Sequence, residues 1–300
     1  MTTSVAVFGS CNMDLVAYAG TAPKRGETVH GREFHTVPGG KGANQALAAA
    51  KAGAQVRMIG AVGQDDFGAE IRRVLQESDV DVAGLRTEPG RSGTAHIVVD
   101  DQGGNSIVVV PGANGTVDDL VEGDEELIAG SQILLLQLEI PLPGVAAAAA
   151  AGRRGGVRVV LTPAPAAELP ADLLSDVDLL VPNEHEAAVL AGGDDDPERA
   201  LAKLLELVPE VVITLGSRGS LYGNRDGARV EVPSFPVEAV DTTAAGDTYV
   251  GVLSAALGEG ADMPEAMRTA SAGSALSVQR NGASSSMPTR REIADFLAAR

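Results

Sequence analysis

The sequence has no tryptophan, only 3% aromatic residues and a single cysteine, Cys11, in 300 residues. One cysteine excludes an internal disulfide, and the four histidines, His30, His35, His96 and His185, lack metal-ligand spacing. Scarce aromatic rings argue against a stacking platform for single-stranded nucleic acid. Positive charge is scarce as well: 23 Lys and Arg against 41 Asp and Glu give a formal net charge of -18. Long-range repulsion then opposes polyanions, so no nucleic-acid partner is expected, and any phosphate must be held locally. There is no basic segment leading into a long apolar run. Neither a signal peptide nor a membrane partner is therefore expected, and the reducing cytoplasm is the expected compartment.

What is present is apolar patterning. A hydrophobic content of 44% over 300 residues suffices for a sizeable core, and the length fits one large domain, or one plus a small appendage. Apolar strand patterns at 5–8, 56–62, 133–136, 157–161, 177–181 and 211–215 alternate with helical patterns at 67–76, 146–151, 264–278 and 289–299. This alternation predicts an α/β fold of three layers, α/β/α, with a mainly parallel central sheet. Two segments break the rhythm. The stretch 15–38 is interrupted by Gly20, Pro23, Gly26 and Gly31, and 94–110 reads as a hairpin around Asp101-Gln102-Gly103-Gly104. Both are assigned to a small β-sheet lid whose apolar face is covered by substrate or by a second copy of the chain. No repeat or linker divides the sequence, so 1–300 reads as one domain carrying that lid.

The stretch V-D-T-T-A-A-G-D-T-Y-V-G at 240–251 combines a turn of small residues with the opening of a buried helix. Ala244, Ala245 and Gly246 let main-chain amides close on an anion, yet the residue placed there is the carboxylate Asp247. Two readings stay open: Asp247 caps the helix, or it takes a proton from an attacking hydroxyl while the amides hold a phosphate. A second small-residue turn, Gly39-Gly40-Lys41-Gly42-Ala43-Asn44-Gln45, leads into an Ala-rich helix that Gly53 stops. It lacks the spacing of a Walker A loop, and Gln45 occupies the place of the third glycine in a dinucleotide fingerprint. It is either a flexible turn with a solvated lysine or a backbone brought near a ligand. Asn12 and Asp14 follow the first strand, where open α/β sheets place ligands, though both are also turn formers. Asn183 and Glu186 are three apart and share one face of a helical turn.

Taken together, G-S-C-N-M-D at 9–14, G-G-K-G-A-N-Q at 39–45, Q-L-E at 137–139, P-N-E-H-E at 182–186, T-L-G-S-R-G at 214–219 and D-T-T-A-A-G-D at 241–247 resemble the ribokinase-like family of carbohydrate kinases. The likeness runs from Val5 to about Phe296. It implies a phosphotransferase with an alcohol acceptor, which uses ATP to phosphorylate the 5-hydroxyl of ribose. By the family pattern Asp247 is the base, and Ala244, Ala245 and Gly246 form the anion hole with it. Asn12, Asp14, Gly40, Lys41, Gly42, Asn44 and Glu139 hold the sugar, together with Asp247. Asn183, Glu186, Thr214, Gly216, Ser217, Gly219 and Gly246 face ATP and its Mg²⁺. Asp241, Thr243, Ser277, Arg280, Gly282 and Ser286 match the site of a monovalent cation, usually K⁺, and the lid implies a homodimer. Thr162 and Ser271 depart from the family, which commonly has Asn at the first and His or Asn at the second. Alternatives are a kinase of the same family for deoxyribose, another pentose or a nucleoside, and a non-catalytic sugar-binding protein on the same fold. A nicotinamide-dependent oxidoreductase would need the glycine fingerprint that is missing.

Overall fold

In the computed structural model, which describes residues 3–102 and 104–300, the strands along the chain are β1 (Ser4–Phe8), β2 (Asn12–Ala19), β3 (Gly31–Gly39), β4 (Gln55–Gly63), β5 (Val80–Asp81), β6 (Leu85–Glu88), β7 (Gly93–Val99), β8 (Asn105–Val110), β9 (Ile133–Leu136), β10 (Arg158–Leu161), β11 (Leu179–Leu180), β12 (Glu210–Thr214), β13 (Ser220–Asn224) and β14 (Arg229–Val232). The helices are α1 (Lys41–Lys51), α2 (Asp66–Glu77), α3 (Asp124–Ala129), α4 (Leu142–Gly155), α5 (Ala171–Ser175), α6 (Glu184–Leu190), α7 (Pro197–Leu207), α8 (Ala245–Gly258), α9 (Met263–Ser277) and α10 (Arg290–Ala298).

β1 lies inside a sheet ordered β14-β13-β12-β11-β10-β9-β1-β4-β5, with β6 also paired to β4. Its apolar run alternates between two cores: Val5 and Val7 pack with α1, α8 and α9, while Ala6 and Phe8 pack with α4 and α7 on the other face. A strand covered on both faces needs no polar side, which is why the buried interior of β1, Val5–Phe8, is a continuous apolar run. Pairing is parallel from β12 to β5, and the hairpin of β13 and β14 adds antiparallel strands at one edge. The expected three-layer fold is the fold observed.

A second sheet, ordered β3-β2-β7-β8, stands apart from the first. It contains the segments that broke the βα rhythm, but it begins earlier than 15, because β2 starts at Asn12. Asn12 and Asp14 are therefore strand residues paired with Gly39 and Val37, and not turn formers. Strand 177–181 shortens to Leu179–Leu180, and the helix expected at 146–151 extends to Leu142–Gly155. The two-residue β5, together with β6, α3 and α5, carries too little periodicity to be read in advance. Residue 103 of the anticipated turn and residues 1–2 lie outside the described residues.

Two helix starts define the functional end. α1 begins after Gly40, whose φ of 88° only glycine adopts readily. α8 begins after Ala244, one of two non-glycine residues with positive φ among the described residues. A Cβ on Gly251 of α8 would come within 2.6 Å of Ala48 Cβ and 2.8 Å of the Gln45 carbonyl oxygen. That glycine lets the two helix backbones touch, and the contact carries Asn44 and Gln45 of α1 to the first turn of α8.

Candidate active site

Asp247 occupies the first turn of α8 and is 8% exposed. Its side chain does not cap its own helix: Ala244 is at the N-cap and no side-chain hydrogen bond closes that end. Instead Oδ2 accepts from Asn44 Nδ2 at 3.1 Å and Oδ1 accepts from Gln45 Nε2 at 3.1 Å. The capping reading is thereby set aside. Burial pushes the Asp247 carboxyl up, while Lys41 and the amides of Gln45 and Asn44 oppose that and Glu139 adds to it.

Gly246 presents open space. A Cβ built there meets no atom within 4 Å, and its φ is not positive, so neither packing nor backbone geometry demands a glycine. Gly42 is the opposite case, because its Cβ would lie 2.6 Å from both N and O of Ser10. The small residues at 39–42 thus serve close packing against the chain itself more than an approach to a ligand. At the α8 start the Ala245 N–H donates to Thr242 O at 3.2 Å. The next amides, on Gly246 and Asp247, are helix-start donors of the kind that lack an intrahelical partner.

Lys41, Asp247, the Ala244–Gly246 turn, Thr162, Asn183, Glu186 and Thr214 line one cavity of about 200 Å³. Four carboxylates, Asp14, Glu139, Glu186 and Asp247, surround the single ammonium of Lys41, whose affinity for its proton they raise despite its burial. Burial and then repulsion from Glu139 and Asp247 push the Asp14 carboxyl up to about 7. Glu139 is anchored by Ser10 Oγ at 2.6 Å and by the Lys41 N–H at 3.0 Å.

Asn12 is oriented from behind. Asn114 pairs with both backbone groups of Cys11, Oδ1 accepting its N–H at 2.9 Å and Nδ2 donating to its carbonyl at 3.0 Å, so the Asn114 amide has one orientation. Its Nδ2 also donates to Asn12 Oδ1 at 2.7 Å. Asn12 must offer its oxygen there, which leaves its NH₂ as the free end and a donor to any hydroxyl placed beside it.

On the far side of the cavity Asn183 and Glu186 form a capping box at the start of α6, with Asn183 N–H donating to Glu186 Oε2 at 2.8 Å and Glu186 N–H to Asn183 Oδ1 at 2.9 Å. Their spacing thus has a structural use as well as a place in the cavity wall. Burial raises the Glu186 carboxyl above its ordinary range against the Asn183 bond and Lys41. Asn183 bridges to Thr214 at the end of β12. Gly216 and Ser217 sit in the exposed 3-10 turn beyond it, outside the cavity lining. Gly219 is also outside the lining, and its Cβ would strike Val232 O at 2.1 Å, so its glycine is needed by the fold.

Beside the α8 start, Val240 and Asp241 N–H groups both donate to Val278 O, and Asp241 accepts from the N–H groups of Thr243 at 2.9 Å and Gly282 at 2.8 Å. Burial alone would push the Asp241 carboxyl up, but these bonds outweigh it and hold it below the ordinary range. The segments 241–243 and 277–286 are thereby tied together. Ser277 and Ser286 are buried, each hydroxyl donating to a carbonyl three residues back, and the Arg280 side chain turns away to Glu292 at 2.5 Å.

Sequence reasoning did not single out Gln45, Gln137, Ser10 or Asn114 as site residues. Gln137 carried a usable signal as the polar residue that closes the apolar run Ile133–Leu136, and the structure buries it completely. Thr162 accepts from Gln45 Nε2 at 3.3 Å, which joins it to the Asp247 network, and Ser271 is buried in α9. A larger cavity of about 860 Å³ lies at the amino ends of β10 and β12, remote from all of these residues. Its Arg153 and Arg158 are paired with Asp178 and Glu210.

The chain matches the model of the pfkB family carbohydrate kinases over residues 2–290. It is 43% identical to a ribokinase of Bacillus subtilis over 98% of this chain and 99% of the relative, and 41% identical to a ribokinase of Schizosaccharomyces pombe over 97% and 96%. A solved structure of Arabidopsis thaliana ribokinase complexed with ribose and ATP superimposes with a TM-score of 0.93 at 33% identity, covering 99% of each chain. With a buried carboxylate at a helix start, an open glycine beside it and sequence likeness from end to end, the chain belongs to the pfkB family of carbohydrate kinases.

Proposed function

We propose that this protein transfers the γ-phosphoryl group of ATP to the 5-hydroxyl of D-ribose, giving D-ribose 5-phosphate and ADP. The observation that carries the reading is Asp247: buried, held on both oxygens by side chains of α1, and sharing one cavity with Lys41 and with Asn183, Glu186 and Thr214. Asp247 takes the proton as the hydroxyl oxygen attacks phosphorus. The amides of Gly246 and Asp247, next to the open space at Gly246, receive the charge spread over the transferred group. Asn12, Asp14, Lys41, Asn44 and Glu139 hold the sugar hydroxyls, with Gly40 and Gly42 setting the loop that carries Lys41. Asn12 acts there as a donor. A missing hydroxyl would leave such buried groups unpaired, which disfavours the 2-deoxy sugar.

Mg²⁺ enters with ATP and neutralises phosphate charge. Among the described residues no group of three His, Cys, Asp or Glu side chains is placed to hold a metal ion by itself, and a nucleotide-borne Mg²⁺ needs only one or two carboxylates besides phosphate and water. Glu186 fits that role, next to Asn183 and Thr214. Gly216, Ser217 and Gly219 are assigned to the nucleotide side on the family pattern, as is a K⁺ ion at 241–243 and 277–286. The anchoring of Asp241 by Thr243 and Gly282 supports that ion's cage. The whole of 1–300 acts as one kinase domain with 15–38 and 94–110 as its lid, extended by the strand residues from Asn12. The exposed apolar residues of β8 support a homodimer through that lid. A lone, buried Cys11 and the demand for ATP support the cytoplasm as its compartment.

ADP release measured with ribose, 2-deoxyribose, other pentoses and nucleosides tests the assignment, and ribose ranking well below any other acceptor overturns it. Asp247→Asn is expected to keep ribose binding while losing about 10²–10⁴ in kcat. Unchanged turnover in that variant would remove Asp247 from its role and favour a non-catalytic sugar-binding protein.

A further inference from the structure

The order of donors and acceptors behind Asp247 has a direction. A carboxylate only accepts, so Gln45 must present Nε2 to Asp247 Oδ1, which it does at 3.1 Å while reaching Thr162 Oγ1 with the same nitrogen at 3.3 Å. The Gln45 Oε1 then faces backwards and accepts from Gln137 Nε2 at 2.8 Å. Gln137 in turn leaves its own Oε1 buried and without a partner. That oxygen points at Gly9, where a Cβ would approach to 2.0 Å, so the end of β1 is kept bare to admit it. Both glutamines are 0% exposed and come from different elements, Gln45 from α1 and Gln137 from the end of β9. Reversing the Gln137 amide would set two oxygens against each other. The unpaired acceptor is the consequence of holding every amide in the sense that Asp247 requires.

We infer that Gln45 and Gln137 form a positioning relay that aims the Asp247 carboxylate at the acceptor hydroxyl, acting through hydrogen-bond polarity. The inference rests on the proposed role of Asp247 as base. Neither glutamine needs to touch sugar or nucleotide. The charged groups facing Asp247 are Lys41 of α1, Glu139 after β9, Asp14 of β2 and Glu186 of α6, and none of them is altered by changing the relay.

The test is the pH profile of kcat/KM for ribose in wild type, Gln45→Met, Gln137→Met and Gln137→Glu, with folding checked by circular dichroism and ribose affinity measured by calorimetry without ATP. Losing one charge-assisted donor is expected to move the acid limb of Gln45→Met up by about one pH unit and to lower kcat by about tenfold. Gln137→Met should shift in the same direction by less, with ribose affinity within about twofold of wild type in both, because the ground-state sugar contacts stay in place. Gln137→Glu should fall further than Gln137→Met, since an acceptor-only group turns the Gln45 amide round and sets its oxygen against Asp247. A packing role predicts the reverse order, as Glu matches the shape of Gln more closely than Met does. Should Gln45→Met fail to fold, Gln137→Met decides alone. An unmoved acid limb in the folded Met variants overturns the relay. If Asp247→Asn itself keeps its turnover, the base assignment fails first. If Asp247→Asn is inactive while the Met variants match wild type, the relay alone is wrong.

Discussion

Gly246 and Gly42 differ in what a methyl group would meet, and the difference separates ligand space from packing space. At Gly246 a methyl enters emptiness in the first turn of a helix, so Gly246→Ala should leave thermal stability equal or slightly higher, by up to about 1 kcal/mol of helix propensity. The same methyl occupies the volume assigned to the transferred phosphoryl group, and kcat should drop by about 10². Gly42→Ala should do the reverse, costing about 1–3 kcal/mol in denaturant titration because its Cβ meets Ser10 backbone at 2.6 Å. A Gly246→Ala enzyme with full turnover would remove that space from the reaction. The carboxylate after A-A-G was legible as a residue of interest from sequence. Whether it capped a helix or met other partners was not, since both readings share one local pattern.

At the scale of elements, α8 is the densest piece of the site. Residues 247–256 are all buried, so the helix is held on every side, and its start is fixed by neighbours more than by its own capping. One of those neighbours is the pair of segments 241–243 and 277–286, joined through Asp241, Gly282 and Val278. A K⁺ ion seated among their oxygens would stiffen the turn that carries the Ala245–Asp247 amides. Turnover should then be faster in KCl than in NaCl at equal ionic strength, and equal rates would discard the cation. Long periodic helices such as α2 and α9 were readable to within a residue or two, because their burial follows their own spacing. The two-residue strands β5 and β11 were misread or missed, because neighbouring strands and not their own residues define them.

For the whole molecule, the unbalanced feature is the outer strand of the second sheet. All six residues of β8 are exposed, Val108 to 65%, and Phe34 on β3 is exposed to 62%. β8 is also a free edge, with unpaired backbone groups along one side. Pairing of two such faces about a twofold axis would cover them, so the protein should sediment as a dimer at micromolar concentration. A Val108→Asp, Val109→Asp double variant should sediment as a monomer, and a monomeric wild type would refute the dimer.

The alternation of strand and helix, the interruption that became the second sheet and the small-residue turns are all written in the order of residues, because each depends on spacing over a few neighbours. What the side chains do is settled by packing between distant segments. Asn44 and Gln45 reach Asp247 across 203 and 202 residues of chain, and Asn114 reaches Asn12 across 102. Contacts so distant along the chain are set by how α1, α8 and the strand ends pack. Donor and acceptor sense, and with it the task of each buried amide, comes into being only when that packing is complete.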